Sequence, residues 1–373
     1  MDKTTKKTIP LKKIAYSLFT IIPAIPFMMV IFTPLIINHE YANGVVSGKY
    51  AWFLGSLFLA DIILLFSGIS KTKTINVSNT DLLFFTFFII VAIIMYNKTG
   101  FDTKSILLIS LFNLYFSFRI FLSQYKWSEF VLILALLLTA LIESIWGLSQ
   151  LYNLSPSQHN IFSITGSFFN PGPYAGYLAI ISPILFYYIL HDYQITNRKP
   201  KKRLIPFYIR LSISLLTFIS ILLILPAAMS RASWIAFSIS CSFAGGVFLL
   251  HKYRHADIIN KVRKKRIQII IITLVCIIAA GIGMYHLKKD SADGRTLIWK
   301  ISLQTIIQHP WGVGLGNFAG TYDDEQAAYF ASGKGTEQEK YVAGSPEYAF
   351  NEYLQVCIEL GIILFLVFMA III

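Results

Sequence analysis

Two arginines mark where this sequence can handle a charged group. Arg231 lies in ILPAAMSRASW, between two apolar stretches, and Arg295 opens the polar stretch DGRTLIWKISLQTIIQHPWGVGLGNF. A guanidinium is costly inside a bilayer, and its fork of N–H donors matches the oxygens of a phosphate. Two of them at one membrane face suit a lipid-linked phosphate or pyrophosphate. Each also has a plainer reading: Arg231 as a snorkelling side chain that anchors a helix end, and Arg295 as a solvated loop charge. Lys288 and Lys289 add attraction for an anion near Arg295.

Downstream, SPEYAFNEYLQVCIELGI (345–362) holds Glu347, Asn351, Glu352 and Glu359. A carboxylate there suits a general base acting on an acceptor hydroxyl. Glu352 and Glu359 are two helical turns apart and share one face. Glu359 falls in an apolar run and needs a partner, as do Asp61 and Glu143 in earlier runs. His309, next to Pro310, reads as structural rather than catalytic. Cys241, Cys276 and Cys357 all lie in apolar runs. Neither a disulfide framework nor a metal site is indicated, because no His/Cys cluster has ligand spacing.

These residues must be positioned by membrane helices. The 373 residues are 55% hydrophobic, above the roughly 45–50% of a soluble domain. Runs such as IAYSLFTIIPAIPFMMVIFTPLII approach or exceed the ~18–20 residues that cross a bilayer. The expected fold is all-α and polytopic, with about ten spans near 14–37, 51–68, 82–97, 106–123, 129–150, 173–190, 209–228, 231–250, 267–285 and 352–373. The first span is too long for a removable signal peptide.

The net charge of +13 does not indicate nucleic acid, because the basic residues concentrate in alternate short loops. Lys3, Lys6, Lys7, Lys12 and Lys13 precede the first span. Lys71 and Lys73, then Lys126, then 198–203, then 252–266 follow in every second connection. That alternation puts the N-terminus in the cytoplasm. The segment 286–351 then lies outside, and it is too long for a simple connector. The expected organisation is a transmembrane region over 1–285, an extracytoplasmic catalytic loop over 286–351, and a final span over 352–373. The chain stops inside GIILFLVFMAIII, so a longer membrane region is expected.

Within the long loop, Leu297, Ile298, Ile301, Ile306 and Ile307 make one apolar helical face. Pro310 ends that helix, and Gly312, Gly314 and Gly316 mark a bend. A second motif, SITGSFFNPGPYAGYLAIISP (163–183), places a turn at the mouth of a span. Its small residues Ala175, Gly176 and Ala179 suit close helix packing.

Four motifs together resemble the O-antigen ligase and O-antigen polymerase superfamily. GSFFNPGPYAGYL is similar to its G-x-F-x-N-P-N-x-x-A-x-Y-L element, and MSRASWIAF to its S-R-x-x-W/L element. GRTLIWKISLQTIIQHPWGVGLGNF resembles G-R-x-x-x-W…P-x-x-G-x-G-x-x-N-F, and AFNEYLQVCIELGI resembles H-N-x-x-L-Q-x-x-x-E-x-G. The resemblance covers about 130–366. It implies a helical membrane protein that takes a glycan from undecaprenyl pyrophosphate in the bacterial inner membrane. Ligases pass the glycan to lipid A-core, polymerases to another lipid-linked repeat, and O-oligosaccharyltransferases to a protein hydroxyl. It further implies that Arg231 and Arg295 hold the pyrophosphate, with Asn170 and Asn351 supporting the site.

The family's histidine falls at Phe350, which cannot accept a proton. Glu347 and Glu352 are the nearest replacements. The expected activity is ligase-like transfer to lipid A-core, with the polymerase and O-oligosaccharyltransferase as alternatives. The expected partners are the undecaprenyl-pyrophosphate glycan, a lipid or protein acceptor and membrane lipids, without nucleic acid and without a cofactor. A transporter of lipid-linked glycan is the non-enzyme alternative. It fits less well, because no internal repeat is visible and the distinctive residues lie at the outer face.

Overall fold

The computed structural model describes residues 22–69, 77–98, 103–125, 127–198, 205–252 and 289–372. Among these residues the secondary structure is helical throughout, without strands. Contacts divide them into two units. One draws on Met1–Lys73 and Phe116–Arg266, and the other on Thr74–Tyr115 and Ile267–Ile373.

The first unit contains α1 (Ala24–Ile31), a 3₁₀ turn (Thr33–Leu35), α2 (Gly44–Ile69), the end of α4 (Thr103–Gln124), α5 (Ser128–Leu151), α6 (Pro171–Arg198), α7 (Ile205–Ala227) and α8 (Arg231–Lys252). Its core follows helical spacing. Tyr174, Leu178, Ile181 and Leu185 form one buried stripe on α6. They meet Ile221 and Ile224 of α7 and Leu137 and Ala140 of α5. Ala175 and Ala179 are buried, as close packing requires. Gly176 is not at a close approach, since a Cβ there would meet nothing within 4 Å. A second cluster stacks Phe27 on Phe121, with ring centroids 4.2 Å apart.

The second unit contains α3 (Asn79–Lys98), the start of α4, α9 (Lys289–Gln308), α10 (Phe318–Ala331), α11 (Glu337–Val342), α12 (Glu352–Leu360) and α13 (Ile362–Ile372). On α9, Leu297 and Ile301 are buried against Phe318, Tyr322 and Ile358, while Ile298 and Ile306 pack at the margin. Ile307 was expected on this face but is 79% exposed. Val91 and Met95 of α3 meet Leu360 and Leu364.

Seven of these helices are long and apolar enough to span a membrane: Gly44–Phe66, Asn79–Tyr96, Thr103–Gln124, Ser128–Leu151, Pro171–Ile195, Phe207–Ala227 and Arg231–Leu249. Large apolar side chains such as Phe66, Ile180 and Phe243 point outward from them. Lipid covers such side chains in a membrane protein, which has no need to bury them in its own core.

The expected span at 267–285 and the start of that at 14–37 lie outside the described residues. Within 22–37 the helix stops at Ile31 and gives way to the 3₁₀ turn around Pro34. The expected span at 352–373 is not continuous. It breaks at Gly361, whose φ is 87°, into α12 and α13.

Several polar groups inside the spans find partners within their own helix or on a neighbouring one. The hydroxyls of Thr139, Ser182, Thr217 and Ser220 each donate to the carbonyl four residues back. Asp61 accepts from Ser117 Oγ at 2.6 Å. Asp192 holds Arg210 in a bidentate pair with both bonds at 2.6 Å.

Candidate functional site

The turn carrying Arg231 is tight. Met229 adopts φ 49°, a left-handed conformation that a bulky side chain rarely takes. Ser230 Oγ lies 2.8 Å from Ser233 Oγ, and Arg231 begins α8 half-buried. The Trp234 indole donates to Leu225 O at 2.6 Å, tying the start of α8 to the end of α7. The turn is therefore fixed from both sides.

Arg295 is exposed on the second turn of α9. Its guanidinium carbon sits 5.3 Å from the centre of the Phe350 ring. One turn further along α9, the Trp299 indole donates to Ala349 O at 3.0 Å. Ala349 N donates to Gln355 Oε1 at 2.9 Å, and Gln355 Nε2 donates to Glu359 at 3.1 Å. Glu359 is 4% exposed and has the Lys104 ammonium at 4.0 Å. The carboxylate inside the apolar run thus has its partners on α12 itself and on α4. Through Gln355 it supports the segment before α12.

The glycines after Pro310 perform a different task from the one their spacing suggests. Val313 N donates to Ile358 O, Gly314 N to Glu359 O, and Ile362 N to Pro310 O. The break at Gly361 frees these backbone groups, and the 310–316 loop takes them up. A Cβ on Gly312 would come within 2.6 Å of Glu359 O and Gly361 N, so only glycine fits. Non-helical backbone at such a break is tolerable only where protein satisfies it.

The 163–173 motif is equally well fixed. Gln150 Oε1 accepts from Thr165 N and Gly166 N, while its Nε2 donates to Pro156 O and Gly166 O. Glu143 accepts from the backbone N and hydroxyl of Ser167. Lys49 donates to Ile36 O at 2.8 Å and to Ser167 O at 3.0 Å. Gly166 has φ 55°, and a Cβ there would come within 2.6 Å of both Tyr174 and Glu143.

The remaining expected residues fall as follows. Asn170 Oδ1 accepts from Gly172 N at 2.9 Å at the start of α6. Asn351 caps α12, accepting from Tyr353 N and Leu354 N. Both asparagines thereby serve helix starts. Glu352 is exposed in the first turn of α12, where a negative charge suits the helix dipole. Glu347 is exposed in irregular chain. The two glutamates do not flank position 350 on one helix, because helix begins only at Glu352. His309 Nε2 is 3.9 Å from Glu325.

The structure thus brings Arg295, Trp299, Phe350 and the Asn351 cap together. Arg231 belongs to the other unit. Gln355 and Lys104 take part in the frame without having been singled out. Gln355 was readable only as the glutamine of the last motif. Lys104 carried no signal, because its partner Glu359 is distant in sequence.

This is a polytopic helical membrane protein with a polar segment pinned onto its last helices. Residues 215–369 match the family model described as O-Antigen ligase, which supports a relation of this segment to the O-antigen ligase superfamily. The matched stretch includes Arg231, Arg295, the 310–316 loop and the whole of α12. It leaves out the 163–183 motif. No curated protein matches the chain, and no solved structure does.

Proposed function

We propose that this protein transfers a glycan from undecaprenyl pyrophosphate to an acceptor hydroxyl, that of lipid A-core, at the periplasmic face of the inner membrane. The carrying observation is that one O-antigen ligase segment contains both arginines and the Phe350 turn. In this reaction the acceptor oxygen bonds to the anomeric carbon as the bond from that carbon to the pyrophosphate oxygen breaks. The leaving pyrophosphate takes the electron pair, and the acceptor proton passes to a base. Arg231 and Arg295 stabilise the charge that develops on the leaving group. Glu347 or Glu352 takes the proton, Asn351 holds the turn between them, and Asn170 holds the turn at the start of α6. The segment 286–351 faces the periplasm and carries the chemistry, between a membrane region over 1–285 and the helices from 352 onward.

The test is transfer in detergent or nanodiscs, with an undecaprenyl-pyrophosphate glycan and purified lipid A-core. Arg231→Ala and Arg295→Ala are each expected to lower the rate by about a hundredfold or more, the usual loss for one charge-stabilising donor. Rates unchanged in both variants would overturn the assignment. Growth of the donor's own glycan, or transfer to a protein serine or threonine, would move the protein to the polymerase or O-oligosaccharyltransferase class. Movement of intact donor across a vesicle membrane without cleavage would make it a transporter.

A further inference from the structure

Among the described residues, the non-glycine positions with positive φ are Asn43, Asn153, Met229 and Phe350. Asparagine visits this region readily, whereas bulky side chains do so at a cost. Such strain persists where the surroundings impose it, and it concentrates at functional sites. Of the two bulky cases, one stands two residues before Arg231. The other carries the ring against Arg295.

Phe350 shows how the conformation is imposed. On its N-terminal side, Ala349 is fully buried and held at both backbone groups, by Trp299 at its oxygen and by Gln355 at its nitrogen. On its C-terminal side, Asn351 is committed to capping α12. Phe350 bridges two fixed points at φ 51°, with its side chain 57% exposed. The core gains little from an aromatic ring so placed. What the ring does contact is Arg295. Trp299 and Arg295 are four residues apart on α9 and so lie on the same helix face. One helix therefore both pins the turn and delivers the cation to it.

We infer that Phe350 is a positioning residue, whose ring holds the Arg295 guanidinium in place for a phosphoryl anion while leaving its charge intact. A carboxylate at this position would neutralise the arginine and compete with the anion. A ring attracts the cation through its electron-rich face and supplies no acceptor oxygen. It also does not titrate, so it adds no protonation step of its own beside Arg295. A histidine there gains a proton near pH 6.5. This inference rests on the reading of Arg295 as an anion ligand.

The experiment measures binding of undecaprenyl pyrophosphate to the full-length protein in nanodiscs, between pH 5.5 and 7.5. Undecaprenol serves as the neutral control and inorganic pyrophosphate as the lipid-free anion. Phe350→Leu keeps apolar bulk without the ring, and Phe350→Gly relieves the strain at φ 51° without the ring. Both are expected to bind the lipid pyrophosphate about two- to fivefold more weakly, the size of one exposed cation–π contact. Phe350→Tyr and Phe350→Trp should stay within about twofold of wild type, and Phe350→His should add a pH dependence beyond the one that the pyrophosphate's own ionisation gives wild type. Binding of inorganic pyrophosphate weakened in parallel would assign the effect to the anion. An effect confined to the lipid, equal for undecaprenol, would overturn the inference.

Thermal unfolding checks that each variant is folded. Should Phe350→Leu fail to fold, Phe350→Gly and Phe350→Tyr decide the matter. If the variants without a ring bind as wild type while Arg295→Ala loses binding, Phe350 does not position the arginine. If Arg295→Ala also binds as wild type, the reading of Arg295 as an anion ligand fails instead.

Discussion

At the residue scale, aligning with a catalytic position and being equipped for its chemistry are separate matters. Phe350 occupies the place where the family motif has histidine, yet its ring faces an arginine and can take no proton. In the proposed transfer, proton removal falls to another group, and Glu347 and Glu352 are exposed on either side of Phe350. Replacement of the glutamate that serves as base by glutamine is expected to lower transfer about a hundredfold or more, as for a lost general base. The other replacement should leave the rate within a few-fold. Single-turnover transfer by Glu347→Gln and Glu352→Gln separates them. Wild-type rates in both would remove these residues from the reaction and turn attention to His309. The sequence made Arg231, Arg295 and the carboxylates visible because charge stands out against apolar surroundings. It did not make Lys49 visible, since the carbonyls of Ile36 and Ser167 that receive its ammonium come from distant turns.

At the scale of elements, α9 was legible and α12 with α13 was not. The spacing of Leu297 and Ile301 marks a buried stripe whatever packs on it, and both are buried. The run CIELGIILFLV looks continuous because hydropathy registers side chains and not backbone bonds. The break at Gly361 depends on carbonyls and amides that residues 310–316 satisfy from afar. Gly361→Ala should therefore cost more than an ordinary glycine replacement. Its φ is 87°, and the new Cβ would lie 2.6 Å from the Trp311 carbonyl carbon. A loss of about 1–3 kcal/mol is expected from the backbone conformation alone. It would be read as a lower unfolding temperature in detergent, and an unchanged temperature would mean that the break is not needed.

A second element carries a pH signature. Glu339 accepts from Lys300 Nζ at 2.7 Å, from Thr336 N at 2.9 Å and from the Tyr329 hydroxyl at 3.0 Å. Chiefly through Lys300, these bonds pull its carboxyl down to about 2 from an ordinary 4.5. A lowered carboxyl contributes stability above its unfolded pKa and loses it as pH falls through the folded one. The unfolding temperature should thus decline between about pH 4.5 and 2, and Glu339→Gln should flatten that part of the curve. An unaltered slope in the variant would assign the acid sensitivity to other carboxylates.

At the scale of the whole molecule, orientation is the next quantity to measure. Alternating basic connections predict that α10 and α11 stand outside the cytoplasm. A single cysteine at Ser332, exposed just after α10, should react with a membrane-impermeant maleimide added to intact spheroplasts. Labelling only after lysis would invert the topology and remove the proposed site from the periplasm. The mutual hold between residues 310–316 and the Gly361 break also bears on how this protein can be taken apart. A soluble piece ending at Asn351 would strip Val313, Gly314 and Pro310 of the partners they have on 358–362. It would also lose Ile358 from beneath Leu297 and Phe318. Any excised version of the polar segment therefore has to carry hydrophobic sequence to at least Ile362 and a detergent to shield it. A protease that cuts between Asn351 and Glu352 should release no free domain until the chain is denatured.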